Sequence, residues 1–288
     1  MAASSAPSEA ERAGLAAAPP PVGAPPTPDS ASTPGAWRAA IRAGRYRGLT
    51  TGKAAGYVQA NIAILPARYA EDFVGFCLAN AAACPVLAVS RPGATALAEL
   101  GANIDIRRDL PGYRVALEGR VTESDEVAHV WRDDLVTVAI GCWFSMEDAF
   151  LRAGVRLRHL ELGIQGPLFK TDLATQAFGI FRGLLVVSMR PFQDAQVDTV
   201  RRITARFPRV HGAPLHAGDP AALGIAHIGR PDYGEVLLPQ AGETPLFWGC
   251  GLTALAALET CGIPFYITHA PGKMLITDLR NDSFEQAP

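Results

Sequence analysis

Two glycine–cysteine pairs stand where apolar runs give way to helical patterns, at Gly141-Cys142 and at Gly249-Cys250. The N-terminus of a helix offers free N–H groups and a positive dipole end, which bind anions and lower the pKa of a thiol. We therefore predict that Gly141 and Gly249 bind a substrate carboxylate and that Cys142 and Cys250 are catalytic candidates. The alternative is that small residues merely allow a tight turn.

Two histidines are candidates for general acid–base catalysis. His269 ends an apolar run just before Pro271-Gly272, and His211 lies in a loop rich in glycine and proline. A histidine at such a position takes or gives a proton near neutral pH. The alternative for each is a structural, hydrogen-bonded side chain.

A weak metal-binding pattern surrounds the second of these histidines. His211, His216 and Asp219 are residue types that ligate divalent cations. Residues five apart on a strand point to opposite faces, and Pro214 prevents a helix. The sequence therefore predicts no cofactor, with a divalent metal at these three residues as the weaker alternative.

Three cations are predicted to bind substrate, namely Arg91, Arg190 and Lys273. A guanidinium group binds a carboxylate through two parallel hydrogen bonds. Lys273 lies close to His269 in the sequence, as does Asp278, which we expect to orient a base. For each cation the alternative is an ordinary solvated charge.

Composition limits the classes of function. The chain has 288 residues, 49% of them hydrophobic, and a net charge of −2, which gives no electrostatic case for nucleic acid or an anionic membrane. No apolar run reaches the roughly 20 residues of a membrane helix. Five cysteines without a CxxC pair favour a reducing compartment. We predict a cytoplasmic protein whose partner is a small carboxylate, and a homo-oligomer is left open.

The elements that must position these residues follow a strand–helix–strand pattern. Val138–His159 aligns without a gap with Leu246–Ile267, and Phe73–Gly93 is a partial third copy. Such units typically form parallel sheets. We predict an α/β fold in which a three-layer αβα body (36–154 and 232–288) carries an inserted, smaller two-layer α+β subdomain (155–231).

Local patterns predict several further features. Residues 1–35, rich in alanine, proline and serine, are predicted to be disordered and to lack a secretion signal. His159 and Glu161 are expected to form an orienting pair on one face of a strand. The remaining expectations are a Thr253 helix cap, strands at 155–161 and 210–215, an irregular segment at 163–181, and a strand that Pro191 ends.

Several long motifs resemble the D-glutamate cyclase family, also called the hydro-lyase family. The most specific are RFPRVHGAPLHAGDP (206–220), THAPGKM (268–274) and WRDDLVTVAIGCWFS (131–145). The resemblance runs in one order from about residue 36 to residue 279. It implies a three-layer αβα body paired with a smaller α/β part. It also implies lyase chemistry, the cyclisation of D-glutamate to 5-oxo-D-proline with loss of water, but assigns no catalytic residues.

The chain departs from the family pattern at two places. Phe169-Lys170-Thr171-Asp172 replaces a frequent Tyr-Arg-Thr-Asn, and Thr253-Ala254-Leu255 replaces a Pro-Gln pair. These departures leave the substrate open. We predict a hydro-lyase acting on a small amino or hydroxy acid, with a non-catalytic carboxylate-binding or sensing protein as the alternative.

Overall fold

The structure is a computed structural model that describes residues 28–29 and 32–286. Most of the segment predicted to be disordered therefore lies outside the described residues. The helices are α1 Pro34–Arg42, α2 Ala67–Ala79, α3 Glu147–Arg152, α4 Arg158–Leu162, α5 Val197–Ala205 and α6 Leu252–Thr260. In the part of the chain that the structure describes, none of them is long and apolar enough to cross a membrane.

Seven strands form the larger sheet, in the order β2-β5-β1-β10-β3-β4 with β11 also paired to β1. The centre of this sheet is β1, a ten-residue strand of which nine residues are buried. The strands are β1 Tyr57–Pro66, β2 Val86–Val89, β3 Tyr113–Leu117, β4 Arg120–Ser124, β5 Leu135–Gly141, β10 Phe265–His269 and β11 Leu275–Arg280.

Four strands form the smaller sheet, in the order β6-β7-β9-β8. Three of them come from the segment predicted to be an inserted subdomain, whereas β9 comes from outside it. The division into two domains stays a prediction. The strands are β6 Leu168–Ala174, β7 Leu184–Gln193, β8 His216–Ala217 and β9 Glu243–Gly249.

The protein is a mixed α/β structure, but the prediction of parallel sheets was wrong. Every strand pairing in the two sheets is antiparallel. The strands β9 and β10, which α6 connects, lie in different sheets and form no βαβ unit. A strand–helix–strand pattern fixes the order of elements along the chain, and it leaves open which sheet each strand joins.

The two sheets share a hydrophobic core. Val58 of β1 packs in one cluster with Leu246 and Trp248 of β9 and Phe192 of β7. On the other side, α2 buries Phe73, Phe76 and Cys77 against β1 and β5, as its apolar spacing predicts. Residues between the sheets therefore contact both of them.

Five local predictions were wrong. Thr253 lies inside α6 and does not cap it, because its hydroxyl group bonds the main chain of Val186. Residues 158–162 form α4 rather than a strand, and the segment predicted to be irregular contains β6. Only His216–Ala217 is extended near the strand predicted at 210–215. Pro191 lies inside β7 and pairs with Pro245 of β9. Proline has no N–H group to donate, and because the two prolines face each other, the strands lose hydrogen bonds at one pair only and stay paired on either side of it.

A buried ion-pair group attaches α1 to the larger sheet. Arg38 donates to both carboxylate oxygens of Asp278, at 2.8 and 3.0 Å, and Asp109 lies 3.9 Å from its Nε. Arg42 also pairs with Asp109. Asp278 thus holds a helix in place and does not orient a catalytic base, contrary to the prediction.

Candidate functional site

The two glycine–cysteine corners lie at the ends of β5 and β9, where the backbone is tightly packed. A Cβ atom on Gly141 would lie 2.4 Å from the carbonyl oxygen of Arg209. One on Gly249 would lie 2.9 Å from the Cα atom of Ala83. Both distances are too short for a side chain, so glycine is required for packing at each corner, whatever else the corners do.

The side chain of Asn61, in the middle of β1, connects the ends of three strands. Its Nδ2 donates to the Gly141 carbonyl at 2.9 Å, and its Oδ1 lies 3.0 Å from Nε2 of His269. A Cβ on Gly251 would lie 2.3 Å from the same amide nitrogen. We call this group the strand-end seam, comprising residues 61, 141–142, 249–251 and 269.

The structure brings the two predicted thiols together in this seam. Burial, the largest influence, raises the pKa of Cys142, and the neighbouring Cys250 raises it further. Burial raises the pKa of Cys250 to about 12. The prediction that helix N-termini lower these pKa values was wrong, because desolvation of a thiolate outweighs the nearby backbone N–H groups.

Both predicted histidines are buried and neutral near pH 7. Burial lowers the pKa of His211 and of His269 to about 4. Nδ1 of His211 lies 3.2 Å from the carbonyl oxygen of Ala82, and Nδ1 of His269 lies 2.8 Å from that of Ala270. His211 also has a φ of 90°, which is strained for a residue with a side chain.

Arg190, on β7, is a buried cation without an ion-pair partner among the described residues. Its guanidinium donates to the main-chain oxygens of Met189 at 2.7 Å and Gln165 at 2.6 Å. Burial lowers its pKa to about 10, and the charges of Glu147 and then the two seam thiols act against this shift. The group remains cationic at pH 7, so the structure holds a buried positive charge beside the strand-end seam, with Glu147 acting on it from beyond ion-pair distance.

A buried carboxylate–imidazole pair was not predicted. Glu147 lies 2.9 Å from Nε2 of His159 and accepts hydrogen bonds from the Thr51 hydroxyl at 2.7 Å and the Gly52 amide at 2.8 Å. Burial and then Arg190 lower the pKa of His159. The predicted partner Glu161 instead pairs with Arg156 on the surface, because both residues lie on and beside α4 and not on a strand.

This pair lies beside a cavity of about 440 Å³, within the roughly 300–1,000 Å³ typical of small-molecule sites. The loop 49–56 covers the cavity, and Ala54 in that loop has a φ of 48°, a strained value for a non-glycine residue. Such strain is common at binding sites. The polar side chains that line the cavity are Tyr46, Thr51, Lys53, Tyr57, Ser145, Glu147 and Asp148.

Other predicted site residues lie elsewhere. Arg91 is exposed, and Lys273 lines a separate cavity beside Gly112 and Tyr113. His216 contacts the main-chain oxygen of Asp219. In the described ranges, no group of three or more His, Cys, Asp or Glu residues is arranged to hold a metal, so His211, His216 and Asp219 do not converge.

A signal for two of the unpredicted residues was present in the sequence. Gln59 and Asn61 interrupt an otherwise apolar strand, and both are buried. A polar side chain in a buried strand must find a partner, so its position indicates a hydrogen-bonded site. Glu147 and His159 had no such signal, because only the tertiary structure brings them together.

Fold and site together define a two-sheet α/β protein with a buried cationic site between its sheets. Residues 136–278 match the family model described as D-glutamate cyclase. A relative from Burkholderia multivorans is 49% identical over 252 residues, covering 87% of this chain and 97% of its own. One from Bordetella petrii is 50% identical over 258 residues, covering 88% and 97%. Both carry the name "putative hydro-lyase", and the chain belongs to the D-glutamate cyclase family.

A third relative, from Bordetella pertussis, is 52% identical over 241 residues and covers 83% of this chain and 87% of its own. Among solved structures, a nitrogen repressor-like protein from Methanococcus jannaschii matches with a TM-score of 0.37 and 10% identity, covering 72% of this chain and 80% of that one. A likeness at that level carries no argument about fold or function.

Proposed function

We propose that the protein is a cytoplasmic hydro-lyase that acts on a small amino or hydroxy acid, with the cyclisation of D-glutamate to 5-oxo-D-proline as its reaction. Family membership and the names of the relatives support the reaction class. The observation that carries the proposal is Arg190, a fully buried cation with no acidic partner at ion-pair distance in the described part of the chain. A carboxylate substrate supplies the direct ion pair that Glu147 and Glu235, which act on the guanidinium from a greater distance, do not form.

The chemistry defines what the site must do. The amine nitrogen attacks the distal carboxyl carbon and forms a C–N bond, while one oxygen leaves that carbon. The two protons lost from the ammonium group leave with this oxygen as water. The site must therefore hold an anion, remove a proton from the amine and stabilise the developing oxyanion.

The strand-end seam and two of its neighbours, Arg190 and His211, supply these roles in the proposal. Arg190 binds a carboxylate, and the amide at Gly249 stabilises negative charge. The predicted role of the Gly141 amide is dropped, because this N–H donates to the carbonyl oxygen of Pro85 at 2.8 Å. His269 or His211 accepts a proton from the amine in the proposal, and a pKa of about 4 leaves either ring neutral at pH 7. Because the ring nitrogens face oxygen atoms, such as that of Asn61 for His269, the accepting ring must first release one of these contacts. We assign no covalent step to Cys142 or Cys250, because burial raises both thiol pKa values.

The cavity beneath the loop 49–56 is the entrance in this proposal. Glu147 lines it, and the charge of the same carboxylate acts on Arg190. A small acid entering there approaches the interior on the side of the buried guanidinium. Lys53, which lies over the rings of Trp37 and Tyr46, has no ion pair among the described residues and attracts anions to the opening.

The test is a substrate panel on the purified protein. D-Glutamate, L-glutamate and a set of small hydroxy acids are incubated with the protein, and 5-oxoproline or the dehydrated product is quantified by mass spectrometry. We expect turnover of D-glutamate and little of L-glutamate. Turnover of a hydroxy acid alone would replace cyclisation by dehydration within the same reaction class.

Two further arms decide between the alternatives. A chelator is expected to leave the rate unchanged, and loss of activity would restore the divalent-metal alternative. Binding of small acids without turnover of any of them would favour the non-catalytic carboxylate-binding protein.

A further inference from the structure

Four buried polar side chains lie together between the sheets with an unused hydrogen-bonding atom each. These atoms are Nε1 of Trp143, Oγ of Ser188, Nε of Arg190 and Nε1 of Trp248, and none has a hydrogen-bond partner in the described structure. All four residues are at most 3% exposed. We call them the donor cluster.

Strand geometry places three of them on one face. Ser188 and Arg190 are two residues apart on β7, so both side chains point to the same side of the sheet. Trp248 is the direct partner of Ser188 on β9, and directly paired residues share a face. This face is the one that packs towards the larger sheet.

Trp143 completes the cluster from the opposite side. It follows β5 directly after Cys142, and its ring centroid lies 5.5 Å from that of Trp248. The Arg190 guanidinium lies 4.9 Å from the centroid of the Trp143 ring. The larger sheet and the smaller sheet therefore both contribute N–H groups to one small volume.

Unused hydrogen-bond donors in a core destabilise the folded protein unless a ligand or a water molecule accepts their hydrogen bonds. Each unsatisfied buried polar group costs about 1–3 kcal/mol, and more when the group is charged. Three N–H groups and one hydroxyl group in one place form a site for an acceptor, and the positive charge makes that acceptor an anion.

The geometry favours a carboxylate over a larger anion. The Trp143 ring covers one face of the guanidinium at 4.9 Å, so a ligand reaches the group at its N–H edge, where a planar carboxylate matches the donor geometry. Arg190 provides one positive charge, while Glu147 and Glu235 act on it with negative charges. A doubly charged phosphate would be repelled by these carboxylates and would lack a second cation.

We propose that the donor cluster is a carboxylate-binding subsite in which the indole N–H groups of Trp143 and Trp248 and Nε–H of Arg190 donate to the ligand's oxygens. This subsite would bind the substrate of the hydro-lyase proposed above, and the identity of the acid rests on that proposed function. It adds two tryptophans as binding residues, and it is tested by binding alone.

The experiment is isothermal titration calorimetry with glutarate and D-glutamate on the full chain. Trp143→Phe and Trp248→Phe each keep an aromatic ring and remove one N–H group. We expect each to weaken the Kd for glutarate by about tenfold, the effect of one hydrogen bond to a charged group. Arg190→Lys keeps the charge, loses the fixed donor geometry and is expected to weaken binding further.

Trp37→Phe is the matched control. The indole N–H of Trp37 is also buried without a partner in the described chain, but it lies in a different core cluster with Ala54 and Ile276. Phenylalanine keeps an aromatic ring beneath Lys53 and removes only the N–H group, so this substitution should leave the Kd unchanged. Thermal unfolding of every variant shows whether a weaker Kd merely reflects a poorly folded protein.

A second arm changes the ligand and needs no variant. Glutaramide, the neutral diamide of glutarate, keeps the length of the molecule and lacks the negative charge, so we expect no detectable binding to the wild-type protein. Equal binding of glutaramide and glutarate would overturn the proposal, as would an unchanged Kd in both tryptophan variants or no binding of either acid.

The outcomes separate this inference from the proposed function. Normal glutarate binding that depends on Trp143 and Trp248, without turnover of any acid, would refute the enzyme and keep the subsite. Turnover of D-glutamate that survives both tryptophan substitutions at full rate and affinity would refute the subsite and keep the enzyme.

Discussion

Two buried arginines in this molecule have opposite surroundings. Arg38 is 4% exposed and Arg190 is 2% exposed. Arg38 donates to both oxygens of Asp278 and lies near Asp109, so carboxylates balance its charge. Arg190 donates only to main-chain oxygens and keeps a free Nε–H group.

The contrast separates a structural arginine from a binding one. Burying a guanidinium group is costly, and an ion pair with good geometry offsets part of that cost. Arg38 has such a pair and holds α1 against the larger sheet. Arg190 lacks one, so its burial is best explained by a ligand that supplies the negative charge.

The largest expected effect is on catalysis by Arg190→Gln. Removing a charged donor from the site should lower kcat/KM for the substrate by a factor of about 10²–10³. Thermal stability should be equal or higher, because a buried charge without a partner is removed. Steady-state kinetics measure the change in kcat/KM, and thermal unfolding measures the change in stability. A kcat/KM close to that of the wild type would refute the role in substrate binding that we propose for Arg190.

The reverse pattern is expected for Arg38→Gln. It leaves Asp109 and Asp278 without one cation and should lower the free energy of unfolding by about 3 kcal/mol. Activity per folded molecule should stay near the wild-type value, because Arg38 lies outside the strand-end seam. Urea unfolding measures the first effect. A variant as stable as the wild type would show that Arg42 alone neutralises Asp109.

A smaller effect is expected from pH. His211 and His269 have folded-state pKa values of about 4, below the roughly 6.5 of an unfolded histidine. As the pH falls below 6.5, the unfolded chain takes up protons first, so stability decreases until about pH 4. The slope is about 1.4 kcal/mol per pH unit for each histidine.

Urea unfolding of His211→Asn and His269→Asn across this pH range tests the expectation. Each variant should lose one histidine's share of the slope and keep the share of the other, so the two variants are controls for each other. An unchanged slope in both buried-site variants would show that neither ring is neutral in the folded protein.

The smallest effect is expected from Cys142→Ala and Cys250→Ala. A thiol whose pKa is raised by burial is a poor nucleophile, so kcat/KM should change by less than about threefold. Complete loss of turnover in a folded Cys250→Ala protein would instead support a thioester intermediate. Iodoacetamide labelling at neutral pH provides an independent measure, and slow labelling of both thiols is expected.

Local elements were largely predictable from the sequence. The apolar run of β1, the one-sided apolar spacing of α2 and the glycine turn Glu118-Gly119 between β3 and β4 can each be recognised in the sequence. The pairing of strands was not, because an apolar run of four to eight residues reads the same in a parallel or an antiparallel sheet. Residues 158–162 were misread for a related reason, since a five-residue segment is too short to show a helical period.

The site was predictable only where residues adjacent in sequence define it. The two glycine–cysteine corners were predicted as a pair, and the structure places Cys250 near enough to raise the pKa of Cys142. The direction of their pKa shifts was not predictable, because it depends on burial by distant segments. Trp143, Trp248 and Ser188 were overlooked because an unused hydrogen-bonding atom is recognisable only once its neighbours are known.

The position of β1 has a consequence for how the protein is made. On one side β1 pairs with β5, and on the other it pairs with β10 and β11, which are about two hundred residues further along the chain. A nascent chain on the ribosome therefore exposes one edge of the central strand of the larger sheet until residues 265–280 have been synthesised. Such long-range pairing folds slowly, so chaperone protection during translation matters more for this protein than for one built from neighbouring hairpins.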